Sequence, residues 1–103
     1  MNFSQSAIHA TYATCYFVAE RYDEAMTLGR RALQLKPHFG TAWRTLAASS
    51  GMANEIESGR RALEQAKRLH PALSLDWVRK FHPITHATSL ERYVQGLAAV
   101  GLT

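Results

Sequence analysis

The chain has 103 residues, 47% of them apolar and 19% charged, with a formal net charge of +4, which is ordinary for a single globular domain and too mild by itself to name a partner. A domain of this length buries about 65% of its unfolded surface, enough for one modest core without staples. Its one cysteine, Cys15, excludes an internal disulfide and fits a reducing compartment, and no apolar run approaches the ~20 residues that span a bilayer. The opening "MNFSQSAIHA" has neither the basic flank nor the apolar centre of a secretory signal, so a cytoplasmic protein is expected.

Alanine, leucine and arginine outweigh valine and isoleucine, which favours helix over sheet. Residues 6–19 place Ile8, Tyr12, Cys15, Tyr16 and Ala19 on one side at steps of three and four, predicting a first helix. "RYDEAMTLGRRALQLK" predicts a second, with Asp23 and Glu24 in its opening turn and Lys36 at its end, charges that suit the helix dipole. Pro37 stops it, because proline disfavours helical geometry in the residue before it.

"GTAWRTLAASSGM" predicts a third helix, with Gly51 as a left-handed cap near its end. "NEIESGRRALEQAKRLH" predicts a fourth, opened by Asn54 as cap and closed by Pro71. "LSLDWVRKF" is a short fifth helix cut off at His82-Pro83, and "HPITHAT" reads as a loop. "SLERYVQGLAAVGL" is a sixth helix, capped by Thr88 or Ser89 and stopped at Gly101.

Two spacings compete. "GRRAL" occurs at Gly29–Leu33 and at Gly59–Leu63, thirty residues apart, whereas Leu35–Pro37 and Leu69–Pro71 are thirty-four apart. A shift of thirty sets Pro37 against Lys67, inside a helix. A shift of thirty-four pairs Ala13 with Ala47, Tyr22 with Ile56, Ala32 with Ala66 and Pro37 with Pro71, so helix stops and small residues coincide. Thirty-four is the structural period, and the repeated pentapeptide is coincidence. Two antiparallel helices per thirty-four residues indicate a helical repeat array.

These residues resemble the tetratricopeptide repeat. A first unit at about 6–39 carries Tyr12-Ala13, Tyr16, "RYDEA" with Tyr22 and Ala25, Ala32 and Pro37. A second at about 40–73 carries Trp43, Leu46-Ala47, Ile56, Gly59, Leu63, Ala66 and Pro71. Departures are Gly29 where the family has a large aromatic, His9 where it has tryptophan and Ser50 where it has tyrosine. The resemblance implies an all-α fold: an antiparallel helix-pair superhelix, or α-solenoid, of about two and a half repeats, with a partial repeat and a capping helix over 74–103. Trp77, thirty-four after Trp43, would begin the third unit. The tail is similar to the extreme C-terminus of bacterial adenylate/guanylate cyclases. It shares Trp43–Ala48, an "HP" pair, and then Leu90–Tyr93, Gly96-Leu97 and Gly101-Leu102, with Val100 for the usual alanine.

No constellation for chemistry stands out. His82 and His86 have metal-pair spacing, but Pro83 separates them, and a solvated loop is the plainer expectation. Cys15 and His9 are expected to pack in the core. There is no phosphate-binding glycine loop, no nucleophile elbow and no zinc motif, so neither enzyme activity nor any cofactor or metal is expected. The arginine pairs Arg30-Arg31 and Arg60-Arg61 are expected on a solvated convex side, without interleaved aromatics, so nucleic-acid binding is only a distant alternative.

The resemblance implies a concave groove lined by Ala10, Thr14, Phe17, Thr41, Arg44, Thr45, Ala48, Val78 and Arg79. It would take a protein or peptide whose acidic group meets the two arginines. Arg79 matches one position of the family's carboxylate clamp, but its lysine and asparagine partners are missing at Ala10 and Thr14. The N-terminal face has no polar cap, which predicts an upstream repeat or self-association. The function expected is a protein-interaction or dimerisation module, the C-terminal region of a cyclase-type signalling protein. The alternative is a free-standing adaptor.

Overall fold

A computed structural model describes the backbone of residues 3–103 and the side chains of residues 5–103; Met1 and Asn2, the start of the stretch read as no secretory signal, lie outside them. Among the described residues there are six helices and no strand: α1 (Phe3–Val18), α2 (Tyr22–Leu35), α3 (Gly40–Met52), α4 (Ile56–Leu69), α5 (Leu75–Phe81) and α6 (Ala87–Ala99). None is long and apolar enough to cross a membrane.

The thirty-four-residue spacing recurs in the backbone itself. α2 and α4 start at Tyr22 and Ile56 and stop at Leu35 and Leu69. α1 and α3 close alike: the amide of Arg21 donates to the Tyr16 carbonyl at 2.8 Å, and the amide of Glu55 donates to Ser50 at 2.8 Å. With Glu20 bonded to Phe17 and Asn54 to Gly51, each end is a Schellman motif whose left-handed residue satisfies the last carbonyls. Those residues are Glu20 (φ 62) and Asn54 (φ 61). Asparagine tolerates that conformation and glutamate less readily, so the first turn carries more strain than the second. The caps of α2 and α4, Lys36 and His70, also agree, at φ −144, ψ 89 and φ −142, ψ 81.

Several local expectations are corrected. Gly51 is not a left-handed cap; it lies inside α3, and Asn54 takes the left-handed place rather than capping α4. α6 begins two residues before Ser89, with His86 as its cap: Nδ1 of His86 accepts from the Ser89 amide. Gly101 does stop α6, at φ 113, in a third Schellman motif made by Leu102 on Leu97 and Gly101 on Ala98. α5 is capped by Ser74 and reaches only seven residues, because Pro83 forces His82 into extended geometry at φ −70, ψ 140.

α1, α2, α3 and α4 pack each on the next, across turns of three or four residues that favour antiparallel neighbours. α3 is the centre: none of its residues is exposed. Its Ala42–Leu46 side meets α2 near Gly29, where a β-carbon would lie 3.6 Å from Leu46 Cβ. Its Thr45–Ala48–Gly51 side meets α6. There a β-carbon on Gly51 would stand 2.0 Å from the Gly96 carbonyl oxygen, and one on Gly96 would stand 2.2 Å from the Ala48 oxygen. The two backbones touch, and only glycine permits it. α5, by contrast, packs mainly on α6 and does not run beside α3 as a third first helix would.

Candidate interaction surface

The residues expected to line an open groove are mostly covered. Ala10, Phe17, Thr45, Ala48 and Val78 are buried, Thr14, Thr41 and Arg44 are half-buried, and Arg79 is exposed. Over Phe17, Thr45 and Ala48 the cover is the chain's own α6. Tyr93 enters between α1 and α3, fully buried; its hydroxyl meets Thr45 Oγ1 at 2.9 Å, and its ring stands 5.0 Å from Phe17 and 4.2 Å from His82, centroid to centroid. Burial pushes the Tyr93 phenol up to about 12, although the bond to Thr45 works against that. At Phe17, Thr45 and Ala48 the expected groove is therefore a packed interface, filled by a helix whose docking place is not written in local periodicity.

The two cations expected at its end are also spoken for. Arg44 lies over the Trp77 ring, 5.3 Å from its centroid, and donates to Thr41 Oγ1 at 3.1 Å. Arg79 is held between Glu91 at 3.2 Å and Asp76 at 3.8 Å. A carboxylate ligand would have to displace Glu91 to reach it. What remains of the groove is a shallow trough beside Thr14 and Thr41, walled by Phe39 and Pro83.

His82 departs from the solvated loop expected for it. It is 7% exposed, its Nδ1 accepts from the Ile84 amide at 3.2 Å, and its Nε2 is buried with no partner among the described residues. Burial, aided by the Arg44 charge, pulls its pKa down to about 4, so the ring is neutral near pH 7. His86 does lie exposed. No group of three or more metal-ligating side chains forms among the described residues.

Leu69 and Phe81 are exposed singly on α4 and α5, whereas the outer face of α1 leaves several apolar residues open together. Its large apolar residues Ile8, Tyr12 and Val18 are 50%, 55% and 40% exposed. Cys15, expected in the core, is exposed on the same face. His9 is half-buried, with Nδ1 buried and without a partner among the described residues. From Phe3 to Val18 the helix holds no Asp, Glu, Lys or Arg.

Addition of thirty-four carries Ile8, Tyr12, Cys15 and Ala19 to Ala42, Leu46, Ser49 and Ala53. The first three of those are buried and the fourth is half-buried. The same face is thus covered in α3 and bare in α1. Tyr12, Cys15, Tyr16, Ala19 and Arg21 border a hollow of about 370 Å³ on it, large enough for an apolar side chain from outside. Helical spacing placed these residues together; it could not tell an inward stripe from an outward one, since both look apolar.

Compared with known proteins, the chain matches no family model, no curated sequence and no solved structure.

Proposed function

We propose that this chain is a helical-repeat interaction module of the tetratricopeptide type, and that it associates with a second copy of itself through the outer face of α1. The observation that carries the reading is the unequal cover of corresponding helices: α3 has α2 against its Ala42–Leu46 side, whereas Ile8 and Tyr12 of α1 stay half exposed among the described residues. The recurrence of turns and caps at thirty-four residues supports the repeat assignment. A helix without charged residues, bearing an apolar stripe and a hollow, suits a copy of itself, since a two-fold axis sets the same patch on both sides, and the one charge at the hollow, Arg21, is paired with Glu24.

The similarity of the tail to bacterial adenylate/guanylate cyclases supports placing the module at the C-terminus of a protein of that kind. Its matching positions include Tyr93, Gly96, Leu97, Gly101 and Leu102, which here seat and close α6. That shared pattern is therefore one of packing. We assign this chain no catalytic step.

Light scattering across concentration, with Cys15 as the one site for a short bismaleimide, tests the reading. A dimer whose cross-link forms at Cys15, and which Ile8→Glu and Tyr12→Glu reduce to monomer without loss of helix content, is the expected result. A monomer at all concentrations, or a dimer indifferent to both substitutions, would remove self-association.

A further inference from the structure

α2 and α4 do not close on each other, because both lie on α3, and the gap between them is an open cleft of about 400 Å³. Arg30 and Gln34 stand on its α2 wall, Ser58 and Arg61 on its α4 wall, and Trp43 and Leu46 of α3 form part of its floor. Trp43 Nε1 donates to the Pro37 carbonyl at 2.8 Å, so its polar edge is satisfied and the indole is held in place. Arg60 pairs with Glu57 at 3.4 Å, but neither Arg30 nor Arg61 has an ion-pair or hydrogen-bond partner among the described residues. The cleft thus has an apolar, partly aromatic floor between two exposed guanidinium groups without protein partners among the described residues.

We infer that this cleft is a second binding site, for an acidic peptide segment that seats a bulky apolar side chain on Trp43 and Leu46 and offers carboxylates to Arg30 and Arg61. Charge complementarity selects the acidic partner: both rims are cationic, and a guanidinium matches a carboxylate with two parallel hydrogen bonds. The apolar floor selects an anchor side chain over a simple anion, and buried aromatic and arginine contacts are where interface energy concentrates. A single-stranded nucleic acid would stack successive bases on successive aromatics, and Trp43 is the one aromatic ring lining this cleft. Read in order, the arginines of α2 and α4 have no aromatic beside them; the fold inserts one from α3. The site shares no helix with the outer face of α1, so each can fail without the other.

The probe is a fluorescein-labelled octapeptide with a Leu-Phe centre and three glutamates on each side, titrated against the intact chain at low salt. An all-glutamate octapeptide and an oligouridylate of equal charge serve as comparators. The expected result is preference for the apolar-centred peptide, weakening as salt rises, with affinity reduced roughly tenfold or more by Arg30→Glu with Arg61→Glu, both exposed positions. In a Trp77→Phe background, peptide should shift the emission of Trp43. Absence of binding, affinity unchanged by the charge reversal, or preference for either comparator would overturn the assignment.

Discussion

α1 and α3 end in matching turns thirty-four residues apart, and the contrast between them shows what crowding demands of a sequence. Phe17 and Gly51 occupy equivalent places, thirty-four residues apart, and both face α6. In α1 there is room for a ring, which packs edge-on against Tyr93. In α3 the Gly96 backbone is already there, and nothing larger than hydrogen fits. On the other side, Leu46 is buried beneath α2 while its counterpart Tyr12 is more than half exposed. Small residues mark the helix with neighbours all round, and bulky exposed ones mark the helix that lacks a neighbour.

The widest gap between the two helices should appear in truncation. Leu46→Ala is expected to cost about 2–5 kcal/mol in urea denaturation, and Tyr12→Ala no more than about 0.5 kcal/mol for the monomer. Equal losses would mean that α1 is as covered as α3. Next comes Gly96→Ala, where a methyl group meets backbone and no side chain can rotate away; a loss of about 3 kcal/mol is expected despite alanine's better helix propensity. Gly29→Ala reverses the sign. Its β-carbon would make ordinary contacts of 3.6–3.9 Å with α3, so a gain of up to about 1 kcal/mol should register as a higher denaturation midpoint.

His82 sharpens the contrast through pH, since it lies against the ring that α6 inserts beside both helices. Its folded-state pKa is depressed, so below pH 6.5 the unfolded chain takes up a proton that the native state refuses. The stabilisation is complete above about pH 6.5 and is lost as pH falls toward about 4, by up to about 3 kcal/mol. His82→Gln should flatten that segment of the stability–pH curve; a slope unchanged in the variant would assign it to another group. A small net effect is expected of Glu20→Gly, which relieves the left-handed backbone but breaks the exposed 3.3 Å pair with Arg92. A net change within about 1 kcal/mol should be seen in thermal melts, against a loss of similar size for Asn54→Ala.

The helix boundaries were largely legible, because prolines at 37 and 71 and the spacing of Leu35 and Leu69 are local facts. The turn residues were misread. Gly51 looked like a cap by composition, yet its bareness answers Gly96, forty-five residues away, and Asn54 and Glu20 take the left-handed places instead. The site was legible in part. Thr14 and Thr41 do border open space, but Thr45 and Ala48 are covered by Tyr93 and Gly96. Amphipathic spacing tells which side of a helix seeks cover and not which element supplies it. Cys15 and His82 exchange their expected places for the same reason: sequence neighbours suggest their surroundings, whereas Tyr93 of α6 covers His82 and Cys15 lies on the open face of α1.

Amide hydrogen exchange of α1 and α3, followed as protein concentration rises, bears most directly on the proposal that α1 waits for the cover α3 already has. At low concentration the amides of α3 should exchange far more slowly than those of α1, and α1 alone should gain protection as copies associate. Protection of α1 that already equals that of α3 at the lowest concentration, or that stays unchanged across the range, would contradict it.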